Sequence, residues 1–357
     1  NRSVSGYLTA RASNSVGTFL QPYYEIVNPP NPSLQWERVR NVNLGIEFSL
    51  LQDRLTLNAE FWKKQGLNLI SDKPTPTQTG ISGFTGNSAS TLSRGVDLSL
   101  NTINLNGRVN WTSQLFMSVS KNRVTEFFGI TANNYNILSQ IHDYPLVDYP
   151  QFALFSFPMK GLDNTGAPIG YLDGAESTDY RGIKNSLDLQ QINFVGSSVP
   201  TSNLTLWNRL QFGPFEFSVS IRWFGGYYFR RKSLDNGDLY NNINYIWDYE
   251  KRWQKPGDEH ITMVPSLVYP SNINRNHFYQ YSSVLVNRGD HLRLQDLQLT
   301  FHADKLLSKI SIPSGKVTLS ATDLGTLWTR NKEHVDPLYS EGLRIKPTFS
   351  LGVHVKL

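Results

Sequence analysis

Between positions 215 and 223 apolar and polar residues alternate without a miss: Phe215, Phe217, Val219, Ile221 and Trp223 against Glu216, Ser218, Ser220 and Arg222. A period of two marks a strand with two unlike faces, whereas a helix repeats every ~3.6 residues. The pattern returns at 42–50, 55–61 and 349–357. Segment 292–302 also alternates but slips phase at Asp296, as the extra residue of a β-bulge would make it do. Joined, these runs predict roughly ten strands, near 3–12, 38–51, 54–70, 92–103, 107–125, 203–212, 215–230, 281–304, 315–328 and 346–357. Several exceed the ~5–6 residues usual in soluble sheets and reach the ~9–11 that cross a bilayer at a tilt.

The connections alternate in length. Short ones fall at 52–53, 104–106, 213–214 and 306–314, and long ones at 13–37, 71–91, 126–202, 231–280 and 329–345. Short turns on one side and long loops on the other are the plan of an outer-membrane barrel, with the long loops extracellular. Aromatics gather near strand ends, at Phe61-Trp62, Trp111, Trp223-Phe224, Tyr227-Tyr228-Phe229 and Trp328, as an interfacial girdle requires. Charged residues make up only 18% of the chain, below the roughly 25% of soluble domains. The alternative for these aromatics is the core of a soluble β-sandwich or propeller. No apolar stretch approaches the ~18 residues of a membrane helix, so a helical membrane protein is excluded. There is no Cys, which removes disulfides, thiolate metal sites and cysteine nucleophiles. The net charge of +5 is spread without basic clusters in the sequence, which argues against nucleic acid as a partner.

The loops carry short motifs in a recognisable order. They are 28–37 (Asn-Pro-Pro-Asn-Pro-Ser-Leu-Gln-Trp-Glu), 43–48 (Asn-Leu-Gly-Ile-Glu-Phe), 54–64 with Phe61-Trp62, Gly95-Val96-Asp97-Leu98, Ser120-Lys121-Asn122-Arg123-Val124 and 161–168 (Gly-Leu-Asp-Asn-Thr-Gly-Ala-Pro). They continue with 252–259 (Arg-Trp-Gln-Lys-Pro-Gly-Asp-Glu), Gly289-Asp290-His291-Leu292-Arg293-Leu294 and Val335-Asp336-Pro337. Taken together they resemble the SusC/RagA family of TonB-dependent outer-membrane transporters, over nearly the whole chain. The resemblance implies an all-β antiparallel transmembrane barrel, of which residues 1–357 are the carboxy-terminal part, roughly the last ten strands of about twenty-two. The plug and the TonB-binding segment would lie outside these residues. It further implies TonB-dependent import of an oligosaccharide or oligopeptide with a SusD-like surface lipoprotein as lid. TonB-ExbB-ExbD would act through the missing amino-terminal part, outer-membrane lipid would surround the wall, and the SusC/SusD-like pair could form a dimer. The other function kept open is a SusC-like barrel serving as a structural scaffold subunit in a larger outer-membrane complex.

No G-x-S-x-G, HExxH, G-x-G-x-x-G or P-loop pattern occurs, and the seven His are scattered. Asp258-Glu259-His260 could ligate a metal, Asp235-Asn236-Gly237-Asp238 could chelate Ca²⁺, and Asp173, Glu176 and Asp179 could be read as hydrolytic carboxylates. Solvated or turn-forming loop polarity explains each more simply, so no catalytic, cofactor or metal residue is expected. A ten-strand proteolytic barrel is the enzyme alternative. For partner or ligand contact the expectation falls on Tyr240, Tyr245, Trp247 and Tyr249, which combine flat apolar faces with the neighbouring Asn236, Asn241, Asn242 and Asn244.

Overall fold

The computed structural model describes residues 7–13, 23–74, 78, 83–129, 131–240, 248–304, 314–339 and 346–356. Its main feature is one antiparallel sheet of nine strands: Arg38–Leu50, Leu55–Pro74, Gly83–Leu105, Val109–Phe127, Ser202–Phe212, Phe215–Gly225, His291–His302, Ser314–Thr329 and Thr348–Lys356. Sequence neighbours pair throughout, so the wall is an up-and-down meander. The described part of the predicted strand at 3–12 does not join it. Thr9–Ser13 pairs instead with Tyr23–Asn28, inside the expected loop 13–37, as a separate two-stranded ribbon.

The register reveals an inside-out sheet. Trp111, Leu210, Phe217, Leu299, Leu319 and Leu351 are successive cross-strand partners, with exposures rising from 40% at Trp111 to 68% at Leu351. One position along, the row reads Thr112, Arg209, Ser218, Gln298, Ser320 and Ser350. On this second face Ser218, Ser220 and Thr300 are buried. A soluble sheet hides its apolar face, so exposed apolar rows backed by a polar interior exclude the sandwich and fit a wall between hydrocarbon and a wet lumen. Aromatics bracket the apolar band, with Phe212, Phe215 and Phe301 in one register row and the stacked Trp223 and Trp328 at the other end, ring centroids 5.6 Å apart. From Phe215 to Trp223 the strand rises about 27 Å, or about 20 Å along the membrane normal at a ~40° tilt.

One expected irregularity is present, and the wall departs from the predicted strands in two places. Gln295 is the unpaired residue between Leu294 and Asp296, so the expected bulge is present. The predicted strand 215–230 leaves the wall after Gly225, and 281–304 enters it only at His291. Between those points Tyr228–Arg230 pairs with Val286–Arg288 as a small separate ladder. Gly226 adopts φ +74°, and a Cβ at Gly289 would lie 2.3 Å from the Tyr227 ring, so both bends require glycine. Finally, strands Leu55–Pro74 and Gly83–Leu105 run on together through most of the expected loop 71–91.

Candidate functional site

Loops 126–202 and 231–290 do not hang separately above the wall. Helix Ile273–Gln280, begun by Asn272, whose side chain accepts from the amides of Asn274 and Arg275 at 3.0 and 3.2 Å, presents Phe278 to the other loop. There Phe278 is fully buried among Phe157, Tyr180 and Ile183, and its ring lies 5.6 Å from that of Phe157. A Cβ at Gly170 would sit 2.6 Å from Phe278, so that position must stay small. Ile137, Leu138, Ala153, Phe155 and Ile192 complete the cluster. Backbone bonds sew the loops together, with Phe157 donating to the Tyr281 carbonyl and Ser283 donating to the Phe157 carbonyl, each at 2.9 Å.

The motif residues are the fasteners of this body. Asp163 Oδ1 accepts from the Thr165 amide, the Thr165 hydroxyl and the Ala167 amide, closing the Asp-Asn-Thr-Gly turn. Gly166 at φ +77° lies under the Trp253 ring, and its carbonyl accepts from buried Arg275 at 2.9 Å. Burial pulls the Arg275 guanidinium down, partly offset by Tyr180 and Asp163. Trp253 Nε1 donates to Glu259 at 3.0 Å, and Asp258 accepts from the amides of Gln254 and Lys255. Asp258 and Glu259 therefore hold a turn, while His260 is exposed. Asp235 accepts from Gly237 and Asn276, Asp173 from Gln191, and Asp179 caps helix Tyr180–Asn185. Glu176 pairs with Lys160 at 2.5 Å. Each of these carboxylates has a turn, cap or ion-pair role, and no group of three or more metal-ligating side chains exists among the described residues.

Of the four residues expected at a contact surface, Tyr245 and Trp247 lie outside the described residues. Tyr240 ends helix Asn236–Tyr240. Tyr249 opens a 3-10 turn with the Arg252 guanidinium 3.9 Å over its ring, so this face is already occupied within the chain. Just before it, half-buried Asp248 receives Arg231 and, at 2.8 Å, the Ser233 hydroxyl. Burial alone would raise the Asp248 carboxyl, but these donors hold it below the usual range. A second polar cluster carried no motif: Lys184, 7% exposed, donates to His277 Nδ1 at 2.8 Å and to Asn274 at 2.9 Å, while the His277 ring stacks on Tyr135 at 4.5 Å. Burial first, then the Lys184 charge, lowers the His277 pKa, although Asp235 opposes it. The Asn-rich run 271–276 was the one sequence signal for this helix start.

On the wall's inner face the last two motifs meet. Buried Arg293 reaches Asp336 at 3.4 Å and the Tyr339 hydroxyl at 3.3 Å, and Thr326 donates to the same Asp336 oxygen at 2.7 Å. Asp290 accepts from the Gly226 amide at 2.7 Å and from Arg330 at 3.2 Å. The described part of the final loop, through Tyr339, is thereby held against the lumen side. Residues 5–263 match the model of the TonB dependent receptor-like β-barrel family. The chain belongs to that family.

As a TonB-dependent receptor barrel it is an outer-membrane protein, and the comparisons agree along its length. TonB-dependent receptor P39 of Formosa agariphila is 23% identical over 89% of this chain and 34% of its own length. TonB-dependent receptor P26 of the same organism is 27% identical over 36% of this chain and 14% of its own. Among solved structures, the RagAB peptide transporter superposes with a TM-score of 0.71 at 18% identity, covering 98% of this chain and 38% of that one. The RagAB peptide importer in its closed-closed state gives 0.70. The fold is thus shared with RagAB, and this receptor chain spans about a third of the length of P39, 34%. The family is one of receptors and transporters.

Proposed function

We propose that this chain is the carboxy-terminal part of a SusC-like importer, and that its joined loops form the platform on which a SusD-like lipoprotein lid closes over an oligopeptide or oligosaccharide. The observation that carries this reading is the shared core of loops 126–202 and 231–290. Loops that merely shielded a lumen would not need Phe157, Phe278 and Ser282 fully buried, nor a buried arginine spanning two turns. A rigid body on a membrane wall suits a partner that must dock repeatedly at one angle, because preorganised surfaces avoid ordering costs on each closure. The solved RagAB structures, described as a peptide importer in open-open and closed-closed states, support a lid on the same fold. The TonB-binding segment and plug would then lie in parts of the protein outside residues 1–357.

The test uses the full-length protein with its lipoprotein partner. Deleting 236–246 removes helix Asn236–Tyr240 and Tyr245, up to the residue before Trp247, without touching the wall. Co-purification of the lipoprotein should fall while the barrel stays heat-modifiable in the membrane. Undiminished co-purification would take this segment out of the interface.

A further inference from the structure

On four consecutive strands the outward apolar stripe ends at a cation. Strand Arg38–Leu50 shows Leu50, Phe48, Ile46, Leu44 and Val42 outward and then Arg40. Strand Leu55–Pro74 passes from Leu57, Ala59 and Phe61 to Lys63, strand Gly83–Leu105 from Leu98 and Val96 to Arg94, and strand Val109–Phe127 from Met117 and Val119 to Lys121. The register sets Lys63, Arg94 and Lys121 directly opposite one another, and all three are exposed. Two positions along, the outward row runs Arg40, Gln65, Leu92 and Arg123.

Like charges directly opposite on neighbouring strands are destabilising, and here three stand in a row. Arg123 has Asp148 at 3.7 Å, but no ion pair is recorded for Arg40, Lys63, Arg94 or Lys121 among the described residues. The acids nearest this row on the same strands, Glu47, Glu60 and Asp97, occupy the opposite, lumen-facing rows and line a different cavity. Beside the three outward cations the acids thus stand on the other face, where Lys64 is also found. Later strands lack the device: their outward stripes end at Ser202 and Gly225, or at Trp328. Directly beneath the cations lies a groove of about 470 Å³ whose outward walls are Val42, Leu44, Phe61, Val96 and Val119.

These cations stand at the extracellular end of the strands, because Leu50 and Leu55 join through the short turn and Arg38 and Pro74 lie at the loop ends. Cations that close an apolar stripe there meet the headgroups of the outer leaflet. We propose that this outward basic rim and the apolar groove under it form a seat for a phosphate-bearing, acylated lipid of the outer leaflet. Neighbouring strands are ~4.8 Å apart, so the three cations span about 10 Å, which lets separate phosphates on one headgroup be met together. The phosphates supply the charge that the row lacks, and the acyl chains fill the groove.

The test is native mass spectrometry of the full-length protein in detergent micelles doped with diphosphoryl lipid A, with the same lipid stripped of its phosphates, or with inorganic phosphate. The wild type should retain diphosphoryl lipid A and release the stripped form. The variant K63Q/R94Q/K121Q should bind on the order of a hundredfold more weakly, as the loss of three cations near an anionic surface predicts. The charge-preserving K63R/R94K/K121R should keep the lipid. It also serves as the folding control, with heat-modifiability measured for every variant. Should the glutamine variant fail to insert, the wild type's preference between the two lipids still decides. Equal retention of the stripped lipid, full retention by an inserted glutamine variant, or displacement of the lipid by inorganic phosphate alone would each overturn the proposal.

Discussion

At the scale of single residues, face decides tolerance. Val219 lies in the outward, lipid-facing register between Phe217 and Ile221, whereas Ser220 faces inward directly opposite Asp296. An arginine in the hydrocarbon costs about 2–4 kcal/mol near the bilayer midplane. Val219→Arg should therefore cut the yield of heat-modifiable barrel, while Ser220→Arg gains an acidic neighbour and should assemble; equal yields would refute the register. In the loop body, His277 titrates with a definite sign. Its folded pKa lies below the ordinary histidine value of about 6.5, so the unfolded state binds the extra proton first, and loop stability is complete above about pH 6.5 and declines as pH falls below it. The geometry gives the same sign, because a protonated Nδ1 can no longer accept from Lys184. The hydrogen-exchange protection of helix Ile273–Gln280, corrected for the intrinsic pH dependence of amide exchange, should fall between pH 7.5 and 5.5, taken as roughly one unit either side of the ordinary His value, and His277→Gln should flatten that change. Protection that ignores both pH and the substitution would remove this pair from the account.

At the scale of elements, the loop body stands on Phe278. Truncating a fully buried aromatic costs about 3–5 kcal/mol, so Phe278→Ala should open loops 126–202 and 231–290 to protease while the strands stay protected. Cleavage at wild-type rates would mean that the two loops fold independently. Much of the wall was legible in the sequence because hydrocarbon on one side and water on the other impose a strict period of two, as at 215–223 and 349–357. Legibility failed where that asymmetry stops. Above the membrane both faces of strands Leu55–Pro74 and Gly83–Leu105 are wet, so no alternation announced their extension through 71–91. Tyr227, Tyr228 and Phe229 kept strand-like character past the Gly226 bend, so the break was visible only through the φ of one glycine and the ring packed on Gly289. The contact-site expectation rested on aromatic composition, which cannot tell an available ring from one occupied by its neighbour, as Tyr249 is by Arg252. Arg293 and Asp336 are 43 positions apart in sequence, and only the fold of the last loop brings them together.

At the scale of the whole molecule, the sheet is open between Thr348–Lys356 and Arg38–Leu50, and both edge strands are exposed along their full length. Unpaired backbone groups cannot face lipid, so both edges should pair with further strands of the barrel. Expressed alone in outer membranes, residues 1–357 should fail to give a protease-resistant, heat-modifiable monomer; recovering one would show that this wall closes on itself. The central claim is that the sheet is a membrane wall with its apolar rows in lipid and its polar rows in a wet lumen. The most direct test is spin labelling at single cysteines placed at Phe217, Ser218, Val219, Ser220 and Ile221 in the full-length protein, since this chain contributes no cysteine of its own. Labels at 217, 219 and 221 should respond to oxygen dissolved in the bilayer, and those at 218 and 220 to a water-soluble relaxant. An accessibility pattern with the opposite phase, or with no period of two, would contradict the account.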